Sequence, residues 1–286
     1  MAEQELLKEN IAINEVTKEA EIPKSIIYPE QIINIEGITE KKVKSVIEFP
    51  PVFEIKKLKK QKLFNIYFVA ANWIEVKHYL KDMIKKDLQE IWVTANPEIV
   101  EMTLKDKELK AVLHEKAVVF PDGVGILWAS KILKTPLVER LSGIDMIPLF
   151  KEYSVFLLGA KPAVINKSAE VLKEQGYKIV GYHSGYFSQE EETVVKRQIQ
   201  EVKPQVLLVG LGMGKQEKWL ARNIKDLPVK LGVTVGGSFD VISGSKKRAP
   251  KWMQKASLEW LYRLIKEPTR IMRQYILLKF AFRIIG

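Results

Sequence analysis

The chain has 286 residues, 47% of them hydrophobic, which suffices to bury a full core in one large domain or two small ones. The absence of cysteine excludes disulfides and thiolate metal sites, and three widely spaced histidines argue against a histidine metal cluster. The formal net charge is +11, and residues 246–286 alone contribute +9 of it. We therefore expect any polyanion to meet the protein mainly at its C-terminal end.

Residues 1–60 differ in composition from the rest of the chain. They are rich in Glu, Lys and Ile, lack a long periodic pattern, and close on Pro50-Pro51 and a basic run that extends to Lys62. This composition predicts an N-terminal extension or linker that is poorly ordered in part. The acidic first twenty residues lack the apolar core of a secretory signal, so we do not expect export. No run of about 20 apolar residues occurs, so we expect no membrane span.

Residues 61–245 alternate between short apolar runs and amphipathic stretches of ten or more residues. Strands of that length with helices between them favour a parallel sheet covered on both faces. The pattern therefore predicts an α/β, Rossmann-like catalytic domain. The six runs are Glu90–Pro97, Ala117–Pro121, Ser154–Lys161, Lys178–His183, Gln205–Met213 and Lys230–Ser238.

One of the intervening stretches, 162–177, shows helical spacing clearly. An apolar stripe is expected to cover the sheet, and Gly176 is expected to end the helix. The stripe consists of Val164, Ala169, Val171 and Leu172.

Several of the apolar runs end in polar or glycine-rich signals. In folds of this class ligands bind beyond the carboxyl ends of the strands, so the chemistry is expected along that edge. Asp122 lies there, between a predicted strand and a predicted helix, in the sequence Pro121-Asp122-Gly123. Taken alone, it either caps the helix or faces a cleft and accepts a proton.

Two glycine-rich loops follow later strands. Gly210–Gly214 matches neither the Walker loop nor the dinucleotide fingerprint, because Val209 and Lys215 stand where glycine is required. Two interpretations of this loop remain: a tight turn or a ligand-binding loop. Gln216, at the start of the following helix, either binds a ligand or caps that helix. The second loop, Gly236-Gly237, either offers backbone amides to a diphosphate or sugar, or packs closely at a strand end.

The C-terminal segment, 246–286, carries most of the charge. Arg263, Lys266, Arg270 and Arg273 recur at helical spacing on one face, and Pro268 is expected to divide the path into two helices. Residues 275–286 suit the interface of a membrane, and a core-packing helix is the alternative. A nucleic-acid role is disfavoured, because no recognisable nucleic-acid module accompanies the charge.

The ordered segments of the chain resemble the WecG/TagA/CpsF glycosyltransferases over about residues 63–286. The resemblance rests on TANPEIV (94–100), FPDGVGILWASK (120–131), ERLSGIDM (139–146), FLLGAK (156–161), GYHSGYF (181–187), KQEKW (215–219), VGGSFDVISG (235–244) and the basic run at 247–274. It implies an inverting, metal-independent transferase without a cofactor, moving N-acetylmannosamine or a related sugar from a UDP donor. The implied acceptor is N-acetylglucosamine on undecaprenyl diphosphate, as in teichoic acid linkage-unit synthesis.

The resemblance also assigns roles to individual residues. It places the general base at Asp122 and the acceptor-positioning pair at Thr94 and Asn96. It assigns pocket residues at Arg140 and Gln216, and diphosphate contacts to the arginines of the C-terminal appendage, Arg263, Arg270 and Arg273. Two departures affect the neighbouring loops, since the family often has proline where Ala95 and Gly214 stand. The absence of any D-x-D pair agrees with metal independence.

The implied location is cytoplasmic, peripheral on the inner face of the membrane through the appendage. Apolar residues of the appendage could also be covered in a homo-oligomer. The alternative to an enzyme is a regulatory protein that binds a nucleotide or a polyanion on an α/β scaffold without catalysis.

Overall fold

A computed structural model describes residues 57–256, 258–268 and 271–285, without the side chains of 255, 271–274 and 285, together with two strands nearer the N-terminus. The chain divides into two units, Met1–Glu54 and Ile55–Gly286. In the first unit, β1 (Asn10–Ile11) pairs antiparallel with β2 (Ile33–Asn34). The rest of the extension predicted at 1–60, up to residue 56, lies outside the described residues.

The second unit is built on an eight-stranded sheet. All neighbouring pairs are parallel except β3 with β4, and the spatial order is β3-β4-β6-β5-β10-β9-β7-β8. The strands are β3 (Lys60–Leu63), β4 (Ile66–Val69), β5 (Glu90–Ala95), β6 (Val118–Pro121), β7 (Ser154–Gly159), β8 (Lys178–His183), β9 (Val206–Gly210) and β10 (Leu231–Thr234).

All six predicted apolar runs form strands of this sheet, which confirms the predicted α/β class. The sequence reading missed the β3–β4 hairpin, because the basic run that ends at Lys62 looks like a linker. The two strands are joined by Phe64 and Asn65, both with positive φ (52° and 61°), as a two-residue hairpin turn requires. The lysines therefore lie on an edge strand, where charge discourages pairing with other chains.

Helices cover both faces of the sheet. Those of the described residues are α1 (Trp73–Lys85), α2 (Pro97–Met102), α3 (Lys107–Ala111), α4 (Val124–Ile132), α5 (Gly143–Met146), α6 (Pro162–Glu174), α7 (Glu192–Val202), α8 (Lys215–Asn223), α9 (Ser238–Ile242), α10 (Lys251–Lys255), α11 (Glu259–Lys266) and α12 (Ile271–Ile285).

The core consists of two apolar layers, one on each side of the sheet. Trp92 and Leu208 pack in one layer, whereas their sequence neighbours Val93 and Leu207 pack in the other. Successive strand residues point to opposite faces, so a strand buried on both faces needs a continuous apolar run. This is why the strands were readable from the sequence.

The buried face of α6 differs in detail from the predicted stripe. Ala169 and Leu172 are buried as predicted, but Ile165 and Ser168 complete the buried face, while Val164 and Val171 are only half-buried. Positions 165, 168, 169 and 172 follow the i, i+3, i+4, i+7 pattern more closely than the predicted set. The predicted end is confirmed, because Gly176 follows the helix with φ +83°.

The C-terminal segment forms three helices, and α11 and α12 are separated near Pro268 as predicted. One face of α12 packs on α2 and α4 through Phe280 and Ile284, which are buried in the core. The opposite face exposes Tyr275, Leu278 and Phe282. The core-packing alternative for this segment thus holds for one face, while the other stays apolar and open. No helix in the described ranges is long and apolar enough to cross a bilayer.

Candidate active site

A cleft of about 1750 Å³ opens at the carboxyl ends of the central strands. It brings together eight of the ten predicted site residues: Thr94, Asn96, Asp122, Arg140, Gln216, Gly236, Gly237 and Arg263. They come from six places in the chain. Most of them follow strands, and the parallel sheet brings these together because its strand ends meet at one edge. Arg270 and the side chain of Arg273 lie outside the described residues.

Asp122 follows β6 at the floor of this cleft, where its N–H donates to the carbonyl oxygen of Ala95 at 3.0 Å. The capping alternative is wrong, because the N-cap of α4 is Gly123, with φ +86°. Its carboxylate has no hydrogen bond or ion pair within the described part of the chain. In contrast, two other carboxylates that line the cleft, Asp240 and Glu259, are held in ion pairs.

The surroundings of Asp122 shift its acidity. Burial raises the pKa of its carboxyl to about 6, although the positive charges of Arg140 and Arg263 act in the opposite direction. The negative charges of Glu259 and Asp145 add to the increase. A carboxylate with a pKa near 6 is mostly ionised at neutral pH, yet is a stronger base than an exposed aspartate.

Thr94 and Asn96 flank Asp122 on the end of β5. The Thr94 hydroxyl is buried and donates to the carbonyl oxygen of Thr234 at 3.3 Å. The Asn96 Oδ1 accepts the N–H of Ile99 at 3.0 Å and so caps α2. Among the described residues, its Nδ2 contacts only the sulfur of Met213, at 3.8 Å, which is a weak acceptor. The amide nitrogen of Asn96 therefore keeps donor capacity for a ligand.

Hydrogen bonds join the two glycine-rich loops. Gln216 Oε1 accepts the N–H of Gly236 at 3.2 Å, and Gln216 Nε2 donates to Glu217 Oε1 at 2.7 Å. Glu217 Oε2 accepts the N–H of Gly214 at 2.7 Å, as a capping box does. Both ends of the Gln216 side chain are thus used within the protein. The amide of Gly236, expected to be available to a diphosphate, is also engaged, and it is turned towards Gln216.

Glu217 does not itself line the cleft but accepts a hydrogen bond from Gln216, which does. It is fully buried, and burial raises the pKa of its carboxyl. The sequence could have indicated the capping role of this residue, because a glutamate at the third position of a helix accepts a hydrogen bond from the N-cap amide. Its second contact, to Gln216, depends on the folded loop.

Arg140 lines the cleft beside Asp122, but its guanidinium is already paired. It donates to Glu259 Oε2 at 2.5 Å and to Asp145 Oδ2 at 2.9 Å. Glu259 belongs to α11, so this predicted pocket residue also joins the α/β core to the C-terminal segment. Sequence reasoning assigned no role to Asp145 or Glu259.

Positive charge dominates the cleft wall. Seven basic and four acidic side chains line it, which suits a diphosphate. No group of three His, Asp or Glu side chains that could hold a metal ion occurs in the described ranges. The basic residues are Arg140, Lys161, Lys215, Lys218, Arg222, Lys246 and Arg263.

One rim of the cleft is apolar. Leu264 of α11 and Leu277, Leu278 and Ala281 of α12 line it together with Val124 and Trp128 of α4. Val124, Trp128 and Leu278 are exposed. The polar floor therefore opens onto a hydrophobic surface.

Comparison with known proteins gives a consistent result. The family model for glycosyl transferases of the WecG/TagA/CpsF family matches residues 61–286. A protein of Bacillus subtilis (strain 168) named N-acetylglucosaminyldiphosphoundecaprenol N-acetyl-beta-D-mannosaminyltransferase is 34% identical over 232 residues, 78% of this chain and 90% of its own. Proteins of the same name from Staphylococcus aureus strains MRSA252 and MW2 are 36% identical over 200 residues, 67% of this chain and 78% of theirs. The chain therefore belongs to the WecG/TagA/CpsF family of glycosyl transferases.

Proposed function

We propose that the protein transfers N-acetylmannosamine, or a closely related sugar, from a UDP donor to N-acetylglucosamine linked to undecaprenyl diphosphate. The names of the relatives give the transferred sugar and the lipid-linked acceptor, and these relatives match most of the chain. The UDP donor is the part of the proposal that rests on the resemblance and on the cationic cleft. The product would serve a surface polymer such as a teichoic acid linkage unit.

The observation that carries the proposal is the state of Asp122. It is an unpaired carboxylate within the described residues, at the floor of a cationic cleft, with its pKa raised by burial to about 6. A nucleotide- or polyanion-binding regulatory protein has no need for such a group, because an unpaired carboxylate opposes anion binding. Proton abstraction from an acceptor hydroxyl does need it.

The proposed step is a single displacement. Asp122 accepts the proton of the acceptor hydroxyl while the hydroxyl oxygen attacks the anomeric carbon, and the bond to the UDP oxygen breaks. Attack from the face opposite the leaving group inverts the anomeric configuration. The nearby carboxylates of Glu259 and Asp145 are held by arginines, so they do not compete as a second base or nucleophile.

The leaving diphosphate is proposed to be stabilised without a metal ion. UDP is a good leaving group that needs charge stabilisation more than protonation. Arg263 and Lys215 line the cleft, and the N–H groups at the start of α8 supply a positive dipole end. We expect Gly237 to offer a further backbone amide, with Arg270 and Arg273 as additional cations.

The lipid carrier is proposed to approach over the apolar rim. The exposed face of α12 carries Tyr275 and Phe282, and the latter is 74% exposed. An apolar face flanked by basic side chains is suited to the interface of an anionic membrane. We therefore place the protein at the inner face of the membrane, attached peripherally; a second copy of the chain covering this surface is the alternative.

The direct test is a donor panel. The full-length protein is incubated with UDP-N-acetylmannosamine, UDP-N-acetylglucosamine and UDP-glucose, each with a lipid-diphosphate-linked N-acetylglucosamine analogue, and released UDP is measured. We expect acceptor-dependent UDP release with one donor, unchanged by EDTA, and a product of inverted anomeric configuration by NMR. UDP binding without turnover for every donor would favour the regulatory protein instead.

Membrane attachment is tested separately with Phe282→Glu. Flotation with vesicles that contain anionic lipid should recover the wild-type protein but not this variant. Deletion of the whole segment is a poorer test, because it also removes Phe280 and Ile284 from the core.

A further inference from the structure

Four charged side chains close a ring where the α/β core meets the C-terminal segment. Arg140 contacts Asp145 at 2.9 Å and Glu259 at 2.5 Å. Arg248 contacts Asp145 at 2.7 Å and Glu259 at 3.1 Å. Positive and negative groups therefore alternate around the ring, and each charge has two opposite neighbours.

The ring joins two parts of the chain. Arg140 and Asp145 belong to the core, around the start of α5, whereas Arg248 and Glu259 belong to the C-terminal segment. Two of the four contacts cross between them, Arg140 with Glu259 and Arg248 with Asp145, the latter through two hydrogen bonds. The side chains are only 14% to 28% exposed, so water and salt screen these contacts less than they screen surface pairs.

Helix α11 begins at this ring, with Glu259. None of its residues is fully buried, so apolar packing alone holds it weakly. Glu259 is its first residue, and Arg263 follows four positions later on the same helix face. The charge of Arg263 acts on Asp122, as does that of Arg140. Fixing Glu259 therefore also fixes Arg263 relative to Asp122.

We propose that Asp145 and Arg248 are positioning residues, which hold α11 on the core so that Arg263 stands over the cleft beside Asp122. Neither residue is among those that line the cleft, so neither is expected to touch substrate. They act through the ring. The kinetic part of this inference rests on the proposed function, whereas the structural part does not.

The test compares Arg248→Gln and Asp145→Asn with the wild type in full-length protein. Hydrogen exchange measured by mass spectrometry should become faster in α11 in both variants, with β5 and β9 unchanged. Turnover of UDP-N-acetylmannosamine with the lipid-linked acceptor analogue should fall roughly tenfold, the size expected for a lost half-buried pair. In Arg248→Gln, displacement of Arg263 removes a positive charge that lowers the pKa of Asp122, so the acid limb of the pH–rate profile should move to higher pH. Asp145→Asn does not serve for this readout, because the charge of Asp145 itself raises that pKa.

The decisive arm repeats Arg248→Gln in an Arg263→Gln background. If the ring works by placing Arg263, removing Arg248 costs little further turnover once Arg263 is gone. A full additional tenfold loss in that background would overturn the proposed link. Unchanged exchange of α11 in both single variants would overturn the positioning role itself.

Glu108→Gln is the matched control. It breaks an exposed two-hydrogen-bond pair with Arg222 within the α/β domain, so α11 exchange and the pH profile should stay as in the wild type. Faster α11 exchange in this control as well would mean that any lost ion pair loosens the helix, and would count against the ring. A wild-type protein that is inactive with every donor would refute the proposed function. The positioning role of the ring could still be tested by hydrogen exchange, because that measurement needs no substrate.

Discussion

Replacement of Asp122 by asparagine should separate catalysis from stability. The amide keeps the size of the side chain but cannot accept the proton of the acceptor hydroxyl. Loss of a positioned general base typically costs about 10²- to 10⁴-fold in rate. We therefore expect turnover to fall by that factor while UDP-sugar binding changes little.

The same substitution should make the protein more stable at alkaline pH. Burial raises the pKa of Asp122 from its ordinary 3.8 to about 6, so the folded state binds a proton more tightly than the unfolded chain. Wild-type stability therefore falls as the pH rises from about 4 to about 6, and stays lower above that. At about 1.4 kcal/mol per pH unit the full cost is about 3 kcal/mol, and we expect about 1 to 3 because the side chain stays partly open to the cleft.

Two assays check this reasoning. UDP release gives the turnover, and thermal unfolding at pH 4.5 and pH 8 gives the stability. Asp122→Asn should unfold about 2 to 10 °C above the wild type at pH 8 and close to it at pH 4.5. Asp106→Asn is the control, and its effect on stability should have the opposite sign. Hydrogen bonds from Leu109 and Lys218 lower the pKa of Asp106, so loss of this carboxylate should destabilise the protein at pH 8. Near-normal turnover of Asp122→Asn, or a lower melting temperature at pH 8, would refute the assignment.

The pH dependence of the wild type, the contacts of Glu217 and the two faces of α12 can each be tested. In the wild type, kcat/KM should fall below about pH 6, because the base must be ionised to work and burial sets its pKa there; a flat profile from pH 5 to 8 would contradict this. Glu217→Gln should raise KM for the UDP-sugar several-fold, because a neutral amide cannot accept from both Gly214 and Gln216; unchanged KM in steady-state kinetics would show that the link between the loops is dispensable. Phe280→Ala should make α12 sensitive to protease by removing its buried anchor, at a cost of about 3 kcal/mol, whereas Phe282→Ala, on the exposed face, should leave digestion unchanged.

The sheet was readable from the sequence for a local reason. Five of the six predicted runs form interior strands that are buried on both faces, so each must be a short continuous apolar run. The sixth, β8, is an edge strand and is partly exposed. The hairpin Lys60–Val69 escaped because β3 is a basic edge strand and β4, although apolar, is only four residues long. The turn at Phe64 and Asn65 also lacks the glycine that usually marks a two-residue hairpin.

The floor of the cleft could be predicted in the same local way. Asp122 and Asn96 each follow a strand directly, and the Gly236-Gly237 loop begins two residues after the end of β10. Parallel strands present their carboxyl ends at one edge. Knowing the strands was therefore enough to expect these groups in one cleft. The resemblance to a family added the role of each residue, which spacing alone left open between capping and catalysis.

Only the tertiary structure decided which charges pair. Asp145 and Arg248 are 103 positions apart, and Arg140 and Glu259 are 119 apart, so no local pattern relates them. The basic character of the last forty residues is evident from the sequence alone, but the ion pair of Glu259 among them with Arg140 of the core is not. Periodicity records which face of an element is buried, whereas an ion pair across the fold depends on where two elements meet.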